Sequence, residues 1–272
     1  MANDTSISGY WEREGLGRAI LDALAAAGRR LDALTVDDLA PADHFHGGGL
    51  DATLRLARLA GLDKAPAGTR VLDVGGGIGG PARTLATRYG CRVTVIDLTD
   101  SFVRAAQLLT DRLGLGDLVT HRVGDALALP FDDGAFDVVW TQNSGMNIAD
   151  KAGLYGGIHR VLRRGGLLAT QEPMAGPAAP ILYPVMWARD ERASFLRPPA
   201  AMRALLEASG FRVRAWDDVT AETAGPVDPA AIPAYAAPRL IMGAGLDEII
   251  RVGHRNRQEG RLVSVQAVLE RL

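Results

Sequence analysis

An α/β protein with a parallel sheet and helices on both faces is what this sequence predicts, on three observations. From residue 70 onward, short β-branched apolar runs alternate with helical segments; the first run ends in a glycine-rich turn; and the first three runs each carry an aspartate at or just past their end. Strands separated by helices imply crossovers, hence parallel pairing with helices covering both faces. The carboxyl ends of such strands are where these sheets hold ligands.

About seventy residues precede the first strand. Leu16, Ile20, Leu24, Leu31 and Leu34 set a helical rhythm over 16–34, and Leu54, Ala57 and Leu59 a second over about 50–62. Between them 41–49, PADHFHGGG, reads as a loop because its glycines invite positive-φ backbone. Strands follow at 71–74, 92–97, 118–123, 136–142 and 166–172, and helices at 82–89, 100–113 and 150–162. Beyond Glu172 the order loosens. The proline-rich 173–199 reads as a partly helical insertion, 199–209 as a helix, 211–219 as a strand, about 239–257 as helical and 262–269 as the final strand. At about 150 residues per domain, 272 residues fit one domain in three stretches: 1–69 a helical cap segment, 70–172 the core of the sheet, and 173–272 its second half with covering insertions.

Composition narrows the function classes. With 47% hydrophobic and 23% charged residues the chain is of ordinary globular type, which excludes wholesale disorder. Thirty Lys and Arg against 32 Asp and Glu leave a net charge of −2, which argues against nucleic-acid binding. A single cysteine, Cys91, excludes a disulfide framework and a cysteine-only metal site, and no metal is expected. No apolar run approaches the roughly 20 residues of a membrane span, and residues 1–18 carry no signal-peptide core. A soluble, cytoplasmic protein is expected. Only Lys64 and Lys151 are lysines, the other cations being arginine, which reads as a GC-rich bacterial coding bias.

Residues 71–80, VLDVGGGIGG, are the most informative stretch. Gly75, Gly77 and Gly80 satisfy G-x-G-x-x-G between strand and helix, where a ligand must pass close to backbone. Asp97 lies 22 residues past Gly75 at the end of the second strand, the spacing of an acid that holds ribose hydroxyls. Glycine turns also serve tight helix–strand packing, but loop, strand, helix and Asp97 in register point to a nucleoside-type cofactor. Pro81 removes an N–H donor from the helix start on which a pyrophosphate would rest. Asp73 sets a carboxylate beside the loop, which opposes an anion and favours a cation. S-adenosylmethionine, with an adenosine, a sulfonium, an amino group and no phosphate, fits that pattern; a strand-end cap is the plainer role for Asp73. Asp125, in the GDA at 124–126, is placed to accept from an exocyclic amine of adenine while the Ala126 N–H meets a ring nitrogen. Its plainer role is to close a turn before Pro130.

Taken together, VLDVGGGIGG (71–80), VID (95–97), GDA (124–126), LPFDDGAFDVVW (129–140) and RVLRRGGL (160–167) resemble the class I S-adenosylmethionine-dependent methyltransferases. The likeness is to their small-molecule group, which includes ubiquinone/menaquinone-biosynthesis-like, tocopherol and sarcosine/dimethylglycine methyltransferases. It is specific over about 42–172 and weaker beyond. It implies a Rossmann-like, seven-stranded, mostly parallel sheet with an antiparallel last strand near 262–269. It also implies that Gly75 and Gly77 pass under the methionine part of the cofactor, with Asp73 near its amino end. Asp97 would take the ribose hydroxyls, Leu98 the adenine face, Asp125 and Ala126 the adenine edge. Asn143 would approach the cofactor's amino acid and face the substrate. One departure is LRRGG at 162–166, where relatives often carry Lys-Pro before the glycines.

Methyl transfer needs an acceptor held in line behind the sulfonium methyl, so positioning and water exclusion supply most of the catalysis. A base is needed only if the acceptor must lose a proton. His44 and His46 are the candidates, and the resemblance to relatives with a histidine loop over the cofactor favours His46; a loop histidine bonded to backbone is the plainer reading. No histidine follows the fourth strand, where sugar-methylating relatives carry theirs. Asn143, Met146 and Asn147 stand there instead, to orient a substrate or to cap the next helix. Tyr183, Met186 and Trp187 are core packing or a substrate wall, and Tyr10 and Trp11 are expected in an N-terminal lid. Methyl transfer to a small-molecule acceptor, at N, O or C, is the leading expectation. A cofactor-retaining cyclisation in natural-product biosynthesis is the alternative, and an NAD-dependent oxidoreductase fits less, leaving Asp73 and 124–126 unexplained. The oligomeric state is open, with a homodimer one alternative.

Overall fold

The computed structural model describes residues 7–224 and 228–272. Four helices precede the sheet: α1 (Ile7–Trp11), α2 (Leu16–Ala26), α3 (Val36–Asp43) and α4 (Gly49–Leu59). The alternation then runs β1 (Arg70–Val74), α5 (Gly80–Tyr89), β2 (Arg92–Asp97), α6 (Asp100–Arg112), β3 (Val119–Val123), β4 (Phe136–Gln142) and α7 (Lys151–Val161). It continues through β5 (Leu162–Ala175), α8 (Pro199–Ala208), β6 (Phe211–Asp218), α9 (Ala237–Met242), α10 (Leu246–Gln258) and β7 (Leu262–Arg271). The seven strands stand in the order β3-β2-β1-β4-β5-β7-β6. All neighbours pair in parallel except β7, which runs antiparallel between β5 and β6. The seven-stranded sheet with an antiparallel last strand is therefore as expected.

Successive strand residues face opposite sides, and two cores result. Leu72, Val74, Ile96, Val139 and Leu168 pack with Leu154, Ile158 and Leu206 of α7 and α8 on one face. Val71, Val93, Val95, Val138 and Trp140 pack with Leu56, Leu85 and Ala86 of α4 and α5 on the other. A third cluster, including Leu16, Ile20, Leu24, Leu39, Ile78 and Phe102, fastens the N-terminal helices to α6 and to the glycine loop. No helix among the described residues is long and apolar enough to cross a membrane.

Several boundaries differ from the expectation, each for a local reason. Residues 41–43 are helical, so the 41–49 loop shrinks to 44–48. A capping box in which Thr35 and Asp38 exchange hydrogen bonds starts α3, and burial of Leu39, Ala40 and Ala42 carries it past Pro41. The helix expected over 16–34 stops at Ala26, with a single 3-10 turn at Leu31–Ala33. β5 begins at Leu162 rather than 166, directly after α7, and its register against β4 shifts between Phe136 and Val138 to absorb the extra residues. Segment 173–199 is not a helical insertion: β5 takes its first three residues, and only the 3-10 turn Glu191–Ala193 follows before α8. Its prolines remove the donors a helix needs. The 239–257 helix is divided at Gly243, whose φ of 56° and ψ of −135° end α9 before α10 begins.

Candidate active site

The glycine loop leaves β1 with the Gly75 N–H donating to the Ile96 carbonyl at 2.8 Å. Gly75 has φ +69°, and a Cβ there would lie 2.4 Å from Ser144 Cβ, so the β4 loop presses directly on it. A Cβ on Gly76 would meet Val95 Cγ1 at 2.5 Å and Asp73 Oδ2 at 2.7 Å, whereas one on Gly77 meets only Phe102, at 3.9 Å. The loop is packed against protein at Gly75 and Gly76 and open at Gly77. Beneath it Asp73 is 1% exposed and its Oδ2 has no hydrogen-bond partner. Burial, and then the nearby Asp97 charge, push its carboxyl up to about 8. A buried carboxylate without a partner is costly, and the described residues supply none.

Asp97 closes β2. Its Oδ2 accepts the Gly77 N–H at 2.8 Å and its Oδ1 the Thr99 N–H at 2.9 Å, which uses two of about four acceptor positions on the carboxylate. Burial raises its carboxyl against those N–H groups. The next residue, Leu98, is 47% exposed, and Val123 and Leu127 beside the third strand end are 51% and 44% exposed, an unusual opening of large apolar side chains. The Gly124 N–H donates to the Asp97 carbonyl at 2.9 Å and ties the two strand ends together. Asp125 is exposed and its Oδ1 accepts the Leu127 N–H at 2.9 Å, so it does close its turn; Ala126 beside it is half-buried.

Asn143 leaves β4 at φ +54°, the one non-glycine at positive φ among the described residues. Asparagine is among the few side chains that tolerate this conformation, and such residues concentrate at functional sites. Its N–H donates to the Gln171 carbonyl at 2.8 Å. The turn that follows is held from below by Glu172, whose Oε1 accepts the Gly145 N–H at 3.0 Å and the Ser144 N–H at 3.4 Å. Glu172 is 5% exposed with Oε2 unpartnered, and burial raises its carboxyl against those N–H groups and Lys151. Lys151, itself lowered by burial, donates to the Gly145 and Ile148 carbonyls. The cavity beside Glu172, Tyr155 and Lys151 is about 10 Å³, room for one water and not for a substrate.

His46 is not free. Its Nε2 lies 3.1 Å from Thr53 Oγ1, its Nδ1 lies 3.3 Å from the Gly47 carbonyl and 3.5 Å from Gln142 Nε2, and burial followed by the His44 charge pushes it down to about 3. His44 is buried between Asp43 Oδ1 at 2.7 Å and Thr84 Oγ1 at 3.2 Å. Asp43 also pairs at 2.9 Å with Arg83, which is fully buried and donates to the Ile78, Ala106 and Thr110 oxygens. Against the upward push of burial, Arg83 and His44 hold the Asp43 carboxyl below its ordinary value. This set clamps the end of α3, the glycine loop and α6 together, and its one trace in the sequence is an arginine in an otherwise small-residue helix turn.

The cap residues divide. Asn147 is buried and its Nδ2 donates to the Trp187 and Ala193 carbonyls, so its amide nitrogen anchors the 181–193 segment. Met146 and Trp187 belong to a buried apolar cluster with Val185, and Tyr183 and Met186 are half-buried against it. Tyr10 donates to the Met186 carbonyl at 3.3 Å, and Trp11 packs edge-on to Phe45 and tilted to Phe102, which roofs the glycine loop.

Residues 72–170 match the methyltransferase-domain family. The chain is 42% identical over 124 residues to 2-methyl-6-phytyl-1,4-hydroquinone methyltransferase of Synechocystis sp., covering 45% of this chain and 38% of that protein. It is 38% identical over 122 residues to glycine/sarcosine/dimethylglycine N-methyltransferase of Actinopolyspora halophila, covering 45% of this chain and 22% of that protein. The chain thus spans well under half the length of these relatives. Among solved structures, the fold matches Haemonchus contortus phosphoethanolamine N-methyltransferase 2 in complex with S-adenosyl-L-methionine, at TM-score 0.73 and 18% identity over 98% of this chain and 60% of that one. It matches the [4+2]-cyclase SpnF at TM-score 0.68 and 20% identity, over 94% and 92% of the two chains. The fold is one that these solved methyltransferase and cyclase structures share.

Proposed function

We propose that this chain transfers a methyl group from S-adenosylmethionine to a small-molecule acceptor. The observation that carries the reading is the buried, unpartnered Asp73 carboxylate under a glycine loop too crowded for side chains at Gly75 and Gly76. A cationic amino group satisfies it where a pyrophosphate would be repelled. S-adenosylmethionine, when bound, supplies an electrophilic methyl on a sulfonium. Asp73 orients the amino end, Gly75 and Gly77 give their backbone to the methionine part, and Asp97 turns its remaining lone pairs to the ribose hydroxyls. Leu98 and Ala126 line the adenine, and the Asp125 oxygen not used by Leu127 accepts from its exocyclic amine.

Asn143 orients the acceptor with its amide, and the Tyr10–Trp11 roof with the 181–189 segment excludes water. His46, with both ring nitrogens engaged and its basicity depressed, supports a positioning role and not that of a base at neutral pH. The acceptor then arrives nucleophilic or loses its proton to solvent. Tyr183 and Met186 are the half-buried residues of the apolar cap that can touch it, while Met146 and Trp187 stiffen the wall behind. The near-neutral net charge supports a metabolite over nucleic acid as acceptor.

Incubation with methyl-labelled S-adenosylmethionine and hydroquinone, amine and isoprenoid acceptors tests the reading. Label should move to one acceptor class with release of S-adenosylhomocysteine. Product without label favours cyclisation, a second reading supported by the fold match to a cyclase over nearly the whole of both chains. Thermal stabilisation by NAD and none by S-adenosylhomocysteine defeats both.

A further inference from the structure

Gln142, Gln171 and Gln266 stand at one level of the sheet. Gln142 pairs with Gln171 across β4 and β5, Gln171 with Gln266 across β5 and β7, and Gln266 with Asp217 across β7 and β6. Paired positions present their side chains on one face, and all three glutamines are buried. The two ends of an amide differ only in who donates, so its partners fix its direction. Donor-only groups stand at both ends of this row. Arg55 Nη1 donates to Gln266 Oε1 at 2.6 Å, and Trp140 Nε1 donates to Gln142 Oε1 at 2.9 Å.

That choice propagates. Gln266 Nε2 donates to Gln171 Oε1 and the Ala52 carbonyl, both at 2.8 Å, and Gln171 Nε2 donates to the Gly47 carbonyl at 2.8 Å. Gln142 Nε2 donates to Gln171 Oε1 at 3.3 Å and approaches His46 Nδ1 at 3.5 Å. Thr53 gives its single hydroxyl proton to Gln142 Oε1 at 3.0 Å, so across its 3.1 Å contact with His46 the ring Nε2 must be the donor. The Gly47 carbonyl already accepts from Gln171, so it does not require a proton on Nδ1. His46, Thr53 and Gln142 close a ring of donors and acceptors.

We propose that Gln142 and Thr53 are positioning residues that hold His46 as the neutral Nε2–H tautomer, its Nδ1 lone pair turned to the Gln142 amide, and so pin the 44–48 loop beside Asn143 with no proton passing through His46. The titratable groups facing His46 are His44, with ring centroids 5.7 Å apart, and Asp43 behind it; Arg55 lies at the far end of the row, in an ion pair with Asp217 at 2.8 Å. The consequence for catalysis rests on the methyl-transfer reading; the tautomer does not.

Nitrogen-15 NMR of the histidine rings tests it in the full chain. The wild type should show a pyrrole-type Nε2 and a pyridine-type Nδ1 for His46, unchanged between about pH 5.5 and 8. Gln142→Glu puts an acceptor where the amide donated, and His46 should take a proton on Nδ1 in the same range. Thr53→Val, which serves if that variant does not fold, should abolish the Nε2–H preference. Both variants should raise the KM for the cofactor about tenfold, the loss of one buried hydrogen bond, with kcat changing less. A wild-type His46 that titrates in this range, carries the proton on Nδ1, or keeps its tautomer in both variants overturns the proposal. Calorimetry of S-adenosylhomocysteine on the wild type judges the cofactor reading separately: no binding there, with the expected ring signals, sinks that reading alone.

Discussion

Replacing Asp73 by asparagine removes a titratable carboxyl that the fold buries without a partner. Its carboxyl lies at about 8 in the native chain against an ordinary 3.8. The native state therefore keeps a proton that the unfolded state gives up between those values. Stability is fully present below pH 3.8 and falls as pH rises toward 8, by up to about 1.4 kcal/mol per unit. At pH 7 the accumulated cost is about 4 kcal/mol. Asparagine carries no charge but leaves its own amide short of partners, which costs about 1–3 kcal/mol. Asp73→Asn should thus gain about 1–3 kcal/mol at pH 7 and be about 0.5–2.5 kcal/mol less stable than the parent near pH 4, where the carboxyl costs almost nothing. Urea unfolding at pH 4, 7 and 8.5 measures it. With S-adenosylhomocysteine at about a hundred times its Kd the wild type should gain about 2.7 kcal/mol and the variant far less. A variant less stable than wild type at pH 7, or equally stabilised by the ligand, refutes the reasoning.

Acid should destabilise the protein through the opposite linkage. His46 and His121 are held at about 3, burial being the first cause for each, so each takes a proton on unfolding, and stability is lost as pH falls below 6.5. Urea midpoints should drop with a slope of up to about 1.4 kcal/mol per pH unit for each histidine, partly offset by Asp73, and Asp73→Asn should steepen the slope. Gly75→Ala, which drives a Cβ into Ser144, should abolish cofactor binding in a fluorescence titration. Gly77→Ala, with open space but φ +55°, should cost about 1–2 kcal/mol and keep the fold. Asn143→Gly should leave thermal stability unchanged within about 1 kcal/mol yet lower kcat, separating the amide's role from the backbone's. Asp43→Ala should cost about 3–5 kcal/mol in urea by leaving Arg83 buried and unpaired.

The parallel core was legible because its strands are apolar runs ending in aspartate or glycine, a local pattern. The strand tips carrying Asp73, Asp97 and Asp125 come together because β1, β2 and β3 are sheet neighbours, which the alternation implied. What could not be read depends on register and distant contact. Asn147 looks like a substrate ligand until the 181–193 segment, some forty residues on, is seen to take its amide. The Arg83–Asp43 clamp joins residues forty apart. The glutamine row left one signal, a glutamine within each of three apolar strands, but their alignment follows from pairing across β5 and β7, to which single-strand patterns are blind. The glycines of 41–49 point to a loop but begin only at Gly47, and a capping box and three buried side chains carry α3 past Pro41.

Calorimetric titration of S-adenosylhomocysteine against the parent, Asp97→Ala and Asp125→Ala proteins bears most directly on the strand-tip site. The parent should bind one equivalent, and each folded variant should lose about ten- to a hundredfold in affinity, the worth of a hydrogen bond to a charged group. Equal affinity in all three, with every protein folded, would contradict the account.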